Sequence, residues 1–480
     1  MNKLRSLPLT TRLFLLALFL RLEPVLFSIG LPIGLTDMFQ YDMLARSLVA
    51  GNGFRWYAQE DLALINSSIE PGVFPEFIVD DYDPRGVLTS FRAPAYPAFL
   101  AGVYALSGLE WRFFAARLVQ SALGAALAPL AYLLARRLFP RQEAASRLAG
   151  YMMVFYPLLV LYPLALATEN LFIPLVAAGT LALLHAADGS RARDYALAGA
   201  LFGLATLTRS VIFLFVAVAI LWIWFAARQR RGALIFSLVV LALVVPWSLR
   251  NSLLHGRPTF VENSLGYNLH MGFHPEGSGT FQYGISLELV PYLDDGLRND
   301  LGVQAALSYI REDPGRVPEL TLNKLGYFFS LERKALTYFY SNNFFGHISS
   351  IPLVALFLLF MLPFVAIATL AAAALPFVRL TKERLLIYLL IGAYLLPHLF
   401  LIAEDRFHMT LVPMLAAFAA LAWTNRAQVW GAAKANRAHL AFAVLLVGLL
   451  WLNWGAEIWR DWDKLAILFG SNGNHAGFSY

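Results

Sequence analysis

The chain has 480 residues, 59% hydrophobic and only 14% charged, with a mean hydropathy of +0.61. A soluble domain of this length needs more surface charge, so composition excludes a soluble enzyme and indicates an all-α polytopic membrane protein, whose helices satisfy their own backbone in lipid. Without cysteine there is no disulfide or thiol chemistry, and the net charge of +6 suits loops on the inner membrane face better than nucleic acid.

Lys3, Arg5 and Arg12 followed by Leu13–Leu20 resemble a signal peptide, yet apolar sequence resumes after Pro24 with no small-residue cleavage site. Residues 12–34 are therefore expected to form an uncleaved first span. Further apolar segments fall near 112–136, 147–166, 169–187, 194–208, 211–227, 233–249, 351–377, 385–402, 407–424 and 438–456, giving about eleven transmembrane helices. Basic clusters mark the cytoplasmic side. They stand at Arg136/Arg137/Arg141/Arg147, Arg191/Arg193, Arg228/Arg230/Arg231, Arg379/Lys382/Arg384 and Arg426/Lys434/Arg437. The expectation is a multi-pass plasma (inner) membrane protein with its N-terminus inside. Ala93–Ser107 would reverse that parity, is short, and carries Pro94 and Pro97, so it is placed as an external juxtamembrane helix.

This divides the chain into an N-terminal transmembrane module (1–249, with a first external loop at 35–111), an external segment (250–350) and a C-terminal transmembrane module (351–480). The first loop opens with a short amphipathic helix from Asp37 toward Gly51-Asn52-Gly53. The acidic run Glu60, Asp61, Glu70, Glu76, Asp80, Asp81 and Asp83, interleaved with prolines, is expected to be a solvated loop or lid. The second segment reads as turns at Gly266, Gly272, Gly277 and Gly279, then an amphipathic helix near 296–312 stopped by Asp313-Pro314, then another near 317–331.

Polar residues at outward helix ends are few: Asp37, Arg92, Glu169, Arg209, Arg250 with Asn251, and Glu404-Asp405-Arg406. An acid such as Asp37, where membrane meets water, can attract a cation, accept a proton or cap a helix. Arginines and carboxylates converging on one surface suit a reaction at a lipid phosphate, because Arg forks bind phosphate and a carboxylate takes a proton. The plainer alternative is that each arginine snorkels and each acid caps. Arg21 and Glu23, deeper in the first span, need partners and are expected to have structural ones.

The ordered motifs resemble the GT-C superfamily of integral-membrane glycosyltransferases, in the branch of protein O-mannosyltransferases and the lipid A aminoarabinose transferase. They are Asp37…Tyr41…Ala45…Gly51-Asn52-Gly53, Phe91-Arg92-Ala93-Pro94, Thr168-Glu169-Asn170, Leu207-Thr208-Arg209, Pro246-Trp247…Arg250-Asn251, Gly266-Tyr267-Asn268 and Glu404-Asp405-Arg406-Phe407. The resemblance implies an inverting transfer of a sugar from a polyprenyl-phosphate carrier to a hydroxyl of a lipid, glycan or protein acceptor, on the extracytoplasmic face. It also implies Asp37 as base and Glu169 as second acid. Arg92, Arg209, Arg250, Arg406, Tyr41, Asn251 and Tyr267 would bind the lipid phosphate and sugar. The sequence departs from the aminoarabinose-transferase pattern at Phe91-Arg92-Ala93-Pro94, which lacks the acid before the proline. No cofactor is firmly implied, and a divalent cation between Asp37 and Glu169 stays an open alternative. The rival reading is a transporter or flippase of lipid-linked saccharides.

Overall fold

The computed structural model describes residues 7–34, 36–68, 82–189, 191–333 and 348–470. Lys3, Arg5, Glu70, Glu76, Asp80 and Asp81 lie outside these.

The fold is an all-α polytopic membrane bundle, with a helix in each of the eleven apolar segments. Among the described residues, six are long and apolar enough to cross a membrane alone: Arg112–Leu138, Glu169–Gly189, Arg230–His255, Ser350–Phe377, Lys382–Phe400 and Arg437–Arg460. Glu143–Val154 and Pro157–Leu164, bent by 49°, form a seventh if counted as one span. The other four are shorter or charged. Leu9–Phe27 carries Arg12, Arg21 and Glu23, while Ala192–Thr208, Phe213–Phe225 and Val412–Thr424 are 17, 13 and 13 residues long.

Val412–Thr424 compensates by position. Ten of its 13 residues are buried, and its alanines let neighbouring helices approach closely. Arg21 is wholly buried and donates to the carbonyls of Ala17 (3.1 Å) and Met153 (3.0 Å), a structural contact of the kind expected.

At one end of the bundle, the Asp37–Val49 helix lies between two apolar layers. Met38, Tyr41 and Ala45 meet Tyr96, Leu100 and Tyr104 of the Ala95–Ser107 helix. Phe39, Met43 and Leu44 meet Phe54, Trp56, Tyr57 and Phe91. At 13 residues, Ala95–Ser107 reaches about 20 Å, the same length as Phe213–Phe225 and Val412–Thr424. A small antiparallel pair, Arg55–Trp56 with Val87–Leu88, closes this loop. The sequence had not shown it.

Residues 256–333 hold the expected Asp295–Glu312 and Arg316–Phe328 helices, and also a helix at Leu265–Phe273 where turns were expected. The glycines there serve close packing. A Cβ on Gly266 would stand 1.9 Å from the Asn299 carbonyl oxygen, and one on Gly302 2.3 Å from that of Gly266.

Candidate active site

Asp37 is the first residue of its helix, behind Thr36 at the N-cap, and no side chain caps that end. Its carboxylate turns to arginines instead, accepting from Arg92 (2.5 Å) on one oxygen and Arg406 (3.4 Å) on the other. Arg92, in the turn before Ala95–Ser107, also donates to Gln40 Oε1 from Nε (2.8 Å) and Nη2 (2.6 Å). Its guanidinium sits 5.3 Å from the Tyr41 ring and 5.2 Å from Phe91, so Tyr41 belongs to the same group.

Glu169 begins the Glu169–Gly189 helix and is buried. Its Oε1 accepts from Arg209 at 2.5 Å and its Oε2 from the Thr168 hydroxyl at 3.1 Å. Arg209 is held in extended backbone where the Ala192–Thr208 helix ends, and it lies 4.9 Å from the Phe407 ring. Arg406 joins the two halves. It approaches Glu404 at 2.6 Å, Asp37 at 3.4 Å and Glu169 at 4.0 Å. Three guanidinium groups (Arg92, Arg209, Arg406) thus balance three carboxylates (Asp37, Glu169, Glu404).

Burial would raise the pKa of Asp37, but Arg92 and then Arg406 outweigh it and hold it at about 2. Arg92 shows the converse: desolvation opposes its charge, and Asp37 lifts its pKa above the usual value. For a divalent cation between Asp37 and Glu169 the donor set is unfavourable, because both Asp37 oxygens and Glu169 Oε1 already face guanidinium groups. An incoming cation would have to displace them.

Arg250 and Asn251 stand outside this network. Arg250 donates to the Thr89 carbonyl (2.6 Å) and Asn251 Oδ1 (3.0 Å) and lies 5.0 Å from the Trp247 ring. Asn251 is wholly buried and donates to the carbonyls of Phe260 (2.8 Å) and Val261 (3.0 Å). Both tie loops together. Tyr267 reaches the edge of the group, its ring 5.3 Å from Phe91.

Two participants went unread in the sequence. Gln40 is one helical turn from Asp37, a spacing that could have revealed it. Glu262, which accepts from the Ser210 hydroxyl at 2.5 Å beside Arg209, left no sequence signal. Of the acidic run, Asp61 is not solvated: it is buried and paired with Arg46.

Residues 92–249 match the family model of dolichyl-phosphate-mannose-protein mannosyltransferase. The match spans about a third of the chain and includes Arg92, Glu169 and Arg209. It bears out the resemblance and supports a glycosyltransferase of the GT-C type. No curated protein matches the chain. Among solved structures, the Archaeoglobus fulgidus oligosaccharyltransferase with zinc and sulfate aligns over 98% of this chain and 59% of its own, at 15% identity and a TM-score of 0.48. Its apo form aligns over 97% and 58%, at 13% identity and 0.49. The same organism's AglB with an inhibitory peptide and a dolichol-phosphate aligns over 97% and 58%, at 14% and 0.45. The chain therefore spans less than two thirds of each.

Proposed function

We propose that the protein moves a sugar from a polyprenyl-phosphate carrier to an acceptor hydroxyl, with inversion, on the extracytoplasmic face of the membrane. The observation that carries this reading is Arg406 bridging Asp37, Glu169 and Glu404, with Arg92 and Arg209 alongside, at one end of an apolar bundle. In the step itself the sugar C1–O bond breaks, the phosphate leaves with the electron pair, and the acceptor oxygen bonds to C1 as its proton passes to Asp37. Guanidinium groups stabilise the charge that develops on the leaving phosphate.

The resting network constrains how this works. A carboxylate held at a pKa of about 2 is a weak base. A donor phosphate competes with Asp37 for Arg406, the most weakly held of its partners at 3.4 Å. Transfer of that guanidinium to the phosphate strengthens Asp37 as a base when substrate is present. Glu169, paired with Arg209, positions the second arginine. A mostly apolar open cleft of about 650 Å³ lined by Leu20, Pro24, Phe27, Phe155, Pro157 and Leu356, with Glu23 at its wall, suits the carrier's prenyl tail. The acceptor is a hydroxyl of a lipid, glycan or protein.

The test gives the purified protein a panel of polyprenyl-phosphate sugars and follows donor turnover by mass spectrometry. Turnover of at least one donor is expected. Asp37→Asn should retain binding of the lipid phosphate and lose transfer, and wild-type transfer rates in that variant would sink the assignment of the base.

A further inference from the structure

Away from the arginine network, the Leu265–Phe273 helix carries two histidines four residues apart, His270 within it and His274 at its C-terminal cap. That spacing puts both imidazoles on one face. Glu288, which follows the short Tyr283–Leu287 helix, brings its carboxylate to both. His270 Nε2 lies 3.1 Å from Glu288 Oε2, and His274 Nε2 lies 3.3 Å from Glu288 Oε1. Ligand atoms of the three residues all fall within 4.8 Å of one another.

We propose that His270, His274 and Glu288 bind a divalent transition-metal ion, zinc by preference, which fastens the Leu265–Phe273 helix to the segment around Glu288. Three observations carry this. The donor set of two imidazoles and one carboxylate is one that zinc favours, whereas magnesium and calcium seek oxygen donors throughout. Zinc bonds of about 2.0–2.2 Å at tetrahedral angles place neighbouring donors roughly 3.4 Å apart; each histidine already stands 3.1–3.3 Å from an oxygen of Glu288, and the three ligand atoms, within 4.8 Å of one another, need to draw together only slightly on binding. Finally, His270 is 2% exposed, and its Nε2 faces Glu288 Oε2 at 3.1 Å without the alignment of a hydrogen bond, on the side where His274 faces the other oxygen of the same carboxylate.

The surroundings hold the rings in place. His270 Nδ1 is 3.5 Å from the Tyr309 hydroxyl, an outer partner of the kind that orients ligating histidines. His274 Nδ1 accepts from the Glu276 amide at 3.2 Å, so without metal its hydrogen sits on Nε2. Loading shifts that hydrogen to Nδ1 and turns the Glu276 amide away, within a turn whose Pro275 and Glu276 are exposed. Glu288 is half-exposed, which leaves the fourth position to water. The site lies beside the proposed active site without belonging to it. Tyr267 is one turn before His270 on the same helix and meets Phe91, the neighbour of Arg92.

The experiment uses the full chain in detergent, stripped with a chelator and titrated with zinc chloride alone by calorimetry, then with cobalt(II) followed by visible absorption. Expected are one saturable zinc per chain, intense ligand-field bands of four-coordinate cobalt, and a rise in melting temperature on adding zinc. His270→Ala and Glu288→Gln should each weaken zinc binding at least about tenfold and lose the thermal shift. No saturable zinc in the wild type, a six-coordinate cobalt spectrum, or undiminished binding in both variants would each overturn the proposal. If a variant does not fold, the wild-type zinc stoichiometry and cobalt spectrum decide the question, and neither depends on sugar transfer.

Discussion

The Asp37–Val49 helix carries two acids five residues apart that meet opposite fates. Asp42 is sealed: 2% of its side chain is exposed, and it accepts from Arg46 (2.8 Å), Arg112 (2.9 Å) and the Tyr104 hydroxyl (3.1 Å). Those partners lie on its own helix, on the Arg112–Leu138 helix and on the Ala95–Ser107 helix, so Asp42 braces three elements. Asp37 keeps 38% of its side chain exposed; Arg92 divides itself between Asp37 and Gln40, and Arg406, 3.4 Å away, also meets Glu404 and Glu169. The same residue type thus serves as a closed strut at one position and an open contact at the other. What separates them is exposure and reach: three donors converge on the sealed Asp42, whereas Asp37 stays open and holds its second arginine only loosely.

The sharpest way to break this comparison is to neutralise each acid in turn. Asp37→Asn should lower transfer by about 10²–10⁴-fold, the usual worth of a positioned base, while the protein stays folded. Asp42→Asn should leave the partly buried Arg112 guanidinium without its carboxylate, Arg46 keeping Asp61 and Glu60, and cost about 3 kcal/mol of stability, seen as a fall in melting temperature. If the two variants exchanged these phenotypes, the distinction would collapse. Next in size, Arg406→Ala should weaken lipid-phosphate binding roughly 10- to 100-fold, since hydrogen bonds to charged groups are worth about 1.5–3 kcal/mol; unchanged affinity in a direct binding assay would remove Arg406 from the donor site. The smallest effect is on acid stability. The carboxyl of Asp37 is held at about 2 against an ordinary 3.8, so its contribution is complete above about pH 4 and disappears as pH falls through 2. Acid titrations of wild type and Asp37→Asn should converge across that window, and parallel curves would count against the ion pairs.

Much of this was readable in the sequence, for reasons that differ by element. Hydropathy located the eleven helical segments because lipid leaves the backbone no alternative. Prolines and shortness marked Ala95–Ser107, and Asp313-Pro314 marked the end of Asp295–Glu312. The meeting of Arg406 with Asp37 was not readable, since 369 residues separate them and only packing brings them together. Glycine misled at Leu265–Phe273: Gly266 and Gly272 suggested turns, whereas they are there so that Asn299 and Leu401 can press against the helix backbone. Arg250 and Asn251 were expected at the site for the same reason as Arg92, each a polar group at a helix end. Arg250 donates to the Thr89 carbonyl and to Asn251 Oδ1, and Asn251 to the Phe260 and Val261 carbonyls, so neither joins the Arg406 network.

The contact of Gly266 with Gly302 couples access to architecture. Two helices touching backbone to backbone can rock about one pivot but cannot slide, because any displacement along the axis drives a bulkier residue into the crossing. Swinging Tyr267 away from Phe91 must therefore carry the Asp295–Glu312 helix with it. That helix is moored at its first residue, where Asp295 accepts from the Thr89 hydroxyl and the Ser90 amide, both at 2.6 Å. The Thr89–Ser90 stretch just ahead of Arg92 is thus tied to this helix pair through Asp295, which also meets Arg298 at 3.5 Å, so the footing of Arg92 depends on a carboxylate outside its own network.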